Sequence, residues 1–140
     1  MVRITLVLIL ISISTLARGS DWKHIGKTVE GDTVYIDAKS VLVEGDTRTF
    51  WDKVILKKLR TWEGKTVYAN RFNLVINCAK RTLSALVVES LDSKGNKVLS
   101  LDLRREPNFR DSPIPPDSIY ESMRKYVCSI KKSPGSGMNK

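Results

Sequence analysis

The period-two alternation of side chains constrains this chain more than any other feature of its sequence. One set of alternating positions, those with even numbers, carries Tyr68, Phe72, Leu74, Ile76 and Cys78. Mostly polar residues, Arg71 and Asn73 among them, occupy the positions between. Such spacing is typical of a β-strand with one face towards a core and the other towards solvent. Residues 68–78 are therefore predicted to form a strand.

Five further segments have the composition of short strands and are separated by turn signals such as Glu44-Gly45-Asp46 and Glu63-Gly64-Lys65. They are rich in β-branched and aromatic residues, which favour extended backbone. The predicted strands, besides 68–78, are 22–26, 34–36, 47–60, 81–91 and 98–103. Six short strands at this spacing predict an antiparallel sheet.

The period changes after the proline-rich stretch 113–116, which cannot continue a strand because proline lacks a backbone N–H. Ser118 and Glu121 have the spacing of a capping box at a helix start. One apolar stripe follows at helical spacing, formed by Ile119, Met123, Tyr126 and Val127. The predicted fold class is α+β: an antiparallel sheet of about six strands with one C-terminal helix, over about 117–129, packed on it.

Residues 1–19 have the pattern of a signal peptide. The positive start Met1-Val2-Arg3 precedes an apolar stretch of thirteen residues, which is too short to span a bilayer as a helix. Small residues at Ala17 and Gly19 predict cleavage before Ser20, with cleavage after Ala17 or an uncleaved anchor as alternatives. No cysteine follows the stretch, so we expect no lipid anchor.

The predicted organisation is therefore a signal peptide (1–19), one domain (20–129) and a disordered basic tail (130–140). No transmembrane segment is expected in the mature chain, and the predicted location is the periplasm, the cell surface or the medium. Loss of Arg3 and Arg18 with the signal peptide reduces the net charge from +9 to +7. An exposed sheet edge would also permit a homodimer.

Cys78 and Cys128 are the only two cysteines of the sequence. In an exported protein two such cysteines are expected to form a disulfide bond with each other. A bridge that closes a loop of about fifty residues contributes roughly 4 kcal/mol in the chain-entropy model. The alternatives are a metal site, which would have His24 as its only histidine, and a catalytic thiol with the same distant partner.

Sequence motifs for catalysis were not found: the chain has no Gly-rich phosphate loop, no G-x-S-x-G elbow and no H-E-x-x-H zinc site. No catalytic residue, metal or cofactor is predicted, and no strong nucleic-acid-binding motif is present. The basic residues form the one candidate ligand patch, because basic side chains interleaved with aromatic rings can hold an anionic polymer. Its members are Lys53, Lys57, Lys58, Arg60, Trp62, Arg104, Arg105 and Arg110. A merely solvated strand face is the alternative interpretation.

Taken in order, several short motifs resemble the surface-adhesin protein E-like family of bacterial envelope proteins. They extend over about residues 22–128 and comprise WKHIG…VYIDAKSV, Phe50-Trp51, Ile76-Asn77-Cys78, Asp92-Ser93-Lys94-Gly95 and Pro116-Asp117-Ser118…Tyr126-Val127-Cys128. The resemblance implies an antiparallel sheet packed with a C-terminal helix and a surface or envelope protein without a catalytic motif. The family's namesake is an adhesin for host extracellular-matrix proteins.

The favoured hypothesis is thus an exported, non-enzymatic, adhesin-like binding module whose partner is a host matrix protein or an anionic glycan. Two alternatives remain open. One is a small secreted hydrolase, nuclease-like, that acts on an anionic polymer with His24 as its acid–base group. The other is an accessory periplasmic protein.

Overall fold

The computed structural model describes residues 19–134. Its strands are β1 (Trp22–Lys27), β2 (Thr33–Asp37), β3 (Leu42–Glu44), β4 (Thr47–Trp62), β5 (Lys65–Asn77), β6 (Thr82–Leu91), β7 (Lys97–Asp102) and β8 (Ser112–Pro113). One α-helix, α1 (Ile119–Ser129), follows the last strand, and two short 3₁₀ turns cover Ala38–Ser40 and Pro107–Phe109. Within residues 19–134, no helix combines the length and apolar character that crossing a membrane requires.

All the strands belong to one antiparallel sheet in the order β1-β2-β4-β5-β6-β7, with β3 paired to β4 and β8 to β6. The long strands β4 and β5 form a hairpin in which Trp62 faces Lys65. Its two central residues, Glu63 and Gly64, both have positive φ angles, of 46° and 76°. Turns of that hand match the right-handed twist of the strands they join.

The core lies between α1 and one face of the sheet. Alternation directs Phe50, Leu74 and Ile76 to this face, where they are buried against the helix. Met123 and Val127, one turn apart on α1, are 1% and 0% exposed. The apolar stripe predicted for the helix is therefore the surface that closes the core.

Two local interactions, an N-cap hydrogen bond and a disulfide bond, fix the ends of α1. Ser118 is the N-cap, and its Oγ accepts a hydrogen bond from the Glu121 N–H at 3.2 Å. The other half of the predicted capping box does not form, because the Glu121 carboxylate pairs with the guanidinium of Arg124 instead. Near the other end, a disulfide bond joins Cys128 to Cys78, which directly follows β5.

The predicted fold class and the Cys78–Cys128 bridge are confirmed. The sheet differs in having eight strands, because β3 and β8 are only three and two residues long and carry little periodic signal. Pro113 is part of β8, where it lies at the edge of the sheet opposite Thr82 and its missing N–H breaks no ladder.

The first residues beyond the predicted domain boundary at residue 129 contact the domain. The Ile130 carbonyl accepts a hydrogen bond from Arg48 Nε at 3.0 Å, and Ser133 Oγ accepts one from the Val43 N–H at 2.7 Å. Residues 135–140 of the predicted tail lie outside the described residues. The predicted signal peptide does too, apart from Gly19.

Candidate functional site

The face of the sheet opposite α1 carries a cation–tryptophan cluster, which consists of Trp22, Trp51, Lys53 and Arg71. The ammonium of Lys53 lies 4.2 Å from the ring centre of Trp22. The guanidinium carbon of Arg71 lies 5.7 Å from the ring centre of Trp22 and 5.0 Å from that of Trp51. Arg71 thus lies within reach of two indole rings, at distances typical of cation–π interactions.

Strand alternation and strand register together build this cluster. In β4, Asp52 points towards α1, so Trp51 and Lys53 on either side of it point to the opposite face. Trp51 pairs with Asn73 of β5, and the same register brings Arg71 opposite Lys53. Trp22 reaches the group from β1, which pairs with β2, the neighbour of β4.

Neither cation of the cluster is directly paired with an acidic group: Lys53 and Arg71 form no salt bridge within residues 19–134. Burial, and next the repulsion of Arg71, lower the pKa of the Lys53 ammonium, while attraction to Asp37 acts the other way. An anion placed between the two would relieve this repulsion. Chemically, two cations beside aromatic rings can hold an anion.

Polar atoms without partners border the cluster. Glu89 lies opposite Arg71 in the sheet, but its Oε1 pairs with the ammonium of Lys97 at 3.2 Å. Arg71 Nε, Asn73 Oδ1 and Glu89 Oε2 are buried and have no hydrogen-bond partner within the described residues. Unsatisfied polar atoms are uncommon in folded proteins and here coincide with the two unpaired cations. This coincidence makes the cluster the candidate binding site.

The residues of the predicted basic patch fall into separate groups. Lys53 belongs to the cluster, and Lys57, Lys58 and Arg60 continue along β4 to Trp62, which is 49% exposed at the tip of the β4–β5 hairpin. Lys57 lies above Gly31, where its side chain fills the space that a Cβ would occupy. Lys57 has the parity of Lys53, whereas Lys58 and Arg60 have the other parity, and the β4–β5 pairing is irregular between Ile55 and Arg60.

Arg104, Arg105 and Arg110 form a second group in the loop after β7. Arg104 pairs with Asp102 at 3.1 Å, and the guanidinium of Arg110 donates to the Arg104 carbonyl. Asp102, at the end of β7, pairs with Val87 of β6, which in turn pairs with Asn73 of β5. Arg60 of β4 pairs with Val67 of β5. Six residues of β5 therefore separate Arg60 from the second group along the strand direction, roughly 20 Å at 3.3 Å per residue, and β5 and β6 lie between β4 and β7 across the sheet. Ligand binding by either group of basic residues remains a prediction.

The hydrolase hypothesis gains no support from the position of His24. Its side chain is exposed on β1, and its ring packs edge-on against Tyr35, with 5.5 Å between the ring centres. Within residues 19–134 it makes no hydrogen bond or ion pair, and no three His, Cys, Asp or Glu side chains there are grouped for a metal ion.

Sequence patterns missed Trp22, Trp51 and Arg71 as site residues. Trp51 and Lys53 share a parity in the sequence, which was the only available signal for this face. The contribution of Trp22 and Arg71 depends on how β1 and β5 are placed beside β4, and no local pattern contains that information.

Comparison with known proteins gives a consistent result. The family model of surface-adhesin protein E matches residues 22–129 and confirms the resemblance seen in the motifs. A structure of Haemophilus influenzae protein E superimposes with a TM-score of 0.56 at 21% identity, covering 81% of this chain and 91% of that one. Protein E from non-typeable Haemophilus influenzae gives 0.58 at 20% identity, with 79% and 77% covered. At these identities the structures establish a shared fold. No curated protein matches the chain by sequence.

Proposed function

Because this chain belongs to the surface-adhesin protein E family, we propose that it is an exported, non-enzymatic binding module of the bacterial surface that holds an anionic glycan of the host matrix. In this proposal residues 1–19 direct export, and the mature protein acts at the cell surface or in the medium. The observation that carries the proposal is a pair of cations without a salt bridge: Lys53 lies over the ring of Trp22, and Arg71 lies within reach of both Trp22 and Trp51.

Charge geometry favours a glycan chain over a single small anion. Lys53 and Lys57 have the same parity on β4, so an extended polymer that follows this strand can meet more than one cation. Arg71 can bind a carboxylate or sulfate through two N–H groups, and the indole rings form apolar walls beside it. A host matrix protein without glycan is the competing partner, which the experiment distinguishes.

The test is chromatography of the mature protein on immobilised heparin with stepwise NaCl. The double variant Lys53→Gln/Arg71→Gln is compared with Lys80→Gln/Lys94→Gln, which removes the same charge from exposed turns outside the cluster. We expect the cluster variant to elute at clearly lower salt than its control, because counterion release depends on the local contacts. Equal elution of the two variants would mean that net charge alone drives retention.

Two further measurements address the partner and the location. Binding to an immobilised matrix preparation should fall after enzymatic removal of its glycans, and unchanged binding would identify a protein partner instead. Fractionation of the native host should recover the mature protein from the surface or the medium. Its confinement to the periplasm would contradict the proposal.

A further inference from the structure

A second concave site lies on the other face of the sheet, beneath α1, and it is independent of the proposed anion site. It is a cavity of about 360 Å³ between the sheet, residues 108–115 and the N-terminal half of α1. Most of its wall is apolar, with Phe72, Leu74 and Met123 among its lining residues. Phe109 and Tyr120 also line it and are exposed, so the cavity reaches solvent beside them. Its volume is within the range of small-molecule sites.

One carboxyl group lies in this apolar wall. Asp52 is 3% exposed and, among the described lining residues, is the only one that can carry a negative charge apart from the phenol of Tyr120. Arg71, on β5, is the neighbouring cation that acts on it through the sheet. Within residues 19–134, no lysine, arginine or histidine lines the cavity. The carboxyl therefore has no counter-ion on its own side of the sheet.

Only one carboxylate oxygen of Asp52 accepts a hydrogen bond within the described residues. Its Oδ1 accepts the Phe72 N–H at 2.9 Å, at the point where the β4–β5 ladder skips the pairs between Trp51↔Asn73 and Val54↔Asn70. Its Oδ2 has no hydrogen-bond partner within residues 19–134. An asparagine could supply the same Oδ1 acceptor without the cost of burying an ionisable group. The ladder alone thus gives no reason for a carboxyl group here.

We propose that this cavity binds a small apolar molecule that carries an amino group, with the ammonium held by Asp52. The apolar wall would take the body of the molecule, and the ammonium would supply the counter-ion that the carboxylate lacks. A charge-assisted hydrogen bond in such a desolvated site is stronger than a neutral one. A carboxylate ligand would instead find no cationic side chain among the described lining residues.

Binding by this route is coupled to a proton. Burial raises the pKa of Asp52 to about 8, against the opposing effects of the Phe72 hydrogen bond and the Arg71 charge. At pH 7 the carboxyl is therefore mostly protonated, and it must ionise to pair with an ammonium. One proton then leaves Asp52 for the solvent as the ammonium enters, and no other bond changes.

The experiment uses 2-phenylethylamine and its neutral counterpart 2-phenylethanol, titrated into the mature protein by calorimetry at pH 7. We expect the amine to bind at least tenfold more tightly than the alcohol. Amine binding should release close to one proton, measured from the dependence of the binding enthalpy on the buffer's ionisation enthalpy. The alcohol should release none. Equal affinity of the two probes, or binding of neither, would overturn the proposal.

Three variants locate the effect. Asp52→Asn keeps the acceptor for Phe72, so it should fold, bind both probes with the affinity of the alcohol and release no proton. Asp46→Asn, at an exposed turn, removes the same charge and should bind like the wild type. Ala85→Leu narrows the cavity and should lose both probes. A preference for the amine that survives in Asp52→Asn, or binding that survives in Ala85→Leu, would show that the probes bind elsewhere.

Discussion

Asp52 and Lys53 are consecutive residues of β4, yet their side chains lie on opposite faces of the sheet and belong to different sites. Asp52 is buried in the apolar cavity beneath α1, whereas Lys53 lies over the ring of Trp22. Arg71 is close enough to act electrostatically on both. A single strand thus supplies a buried carboxyl to one face and an unpaired cation to the other.

Stability should fall with rising pH because of Asp52. Its pKa is about 8 in the folded state and near 3.8 when unfolded, so the folded protein binds the extra proton between these values. The free energy of unfolding is then reduced progressively from about pH 4 to pH 8. Asp52→Asn should remove this dependence and be more stable than the wild type at pH 8 by at least about 1 kcal/mol, roughly one pKa unit.

Urea unfolding at several pH values measures this effect, with Asp46→Asn as the charge-matched control. A wild type and an Asp52→Asn variant with parallel stability curves between pH 4 and pH 8 would show that Asp52 is ionised in the folded protein.

Tryptophan fluorescence should report occupancy of the cation–tryptophan cluster. Trp22 and Trp51 contact its cations, whereas Trp62 lies at the hairpin tip, and these are the three tryptophans of the sequence. Heparin binding should change the emission of the wild type and of Trp62→Phe by a similar amount. In Trp22→Phe the change should be much smaller. A signal lost only in Trp62→Phe would place the glycan at the hairpin instead.

Removal of the disulfide bond should destabilise the domain without changing its topology. The bridge closes a loop of 50 residues between the end of β5 and the last turn of α1. Cys78→Ser/Cys128→Ser should lower the free energy of unfolding by about 4 kcal/mol in the chain-entropy model. Urea unfolding of the variant and of the oxidised wild type measures the difference. A change below about 1 kcal/mol would mean that packing of α1 already restricts the chain.

The N-cap of α1 should contribute measurably to stability. Ser118 Oγ accepts from the Glu121 N–H and donates to the Pro115 carbonyl at 2.7 Å. Ser118→Ala should cost about 1 kcal/mol, the usual effect of losing a serine cap. Ser122→Ala, on the exposed side of the same helix, should change stability by much less. Equal effects of the two changes in thermal unfolding would contradict a capping role.

Arg48 should be needed to hold the segment after α1. It is buried, and its guanidinium donates to the carbonyls of Ile130, Gly45 and Thr47 at 2.8–3.0 Å. Arg48→Met would leave these acceptors without their donor, at a cost of about 1–3 kcal/mol. Faster hydrogen exchange at residues 129–133 should accompany the loss. Unchanged exchange there would show that the Val43–Ser133 contact is sufficient.

Local patterns predicted those parts of the fold that depend on one segment at a time. The alternation around Leu74 and Ile76 identified a strand and its buried face, and the stripe of Met123 and Val127 identified a helix and its packing surface. Each pattern arises because one side of a strand or helix is buried, so apolar residues recur every few positions in the sequence. The short strands β3 and β8 were not predicted because three and two residues are too few to show an alternation.

The sequence by itself determined an α+β domain, because the exclusion of apolar side chains from water imposes strand and helix periods on it. It also predicted the Cys78–Cys128 bridge, because two cysteines of an exported protein are expected to pair with each other. Only the tertiary structure decided the sites. Register across β1, β2, β4 and β5 places Trp22 and Arg71 beside Lys53, and the packing of α1 encloses Asp52 in an apolar cavity. These contacts join residues distant in sequence, and a one-residue shift in register would move every side chain to the opposite face.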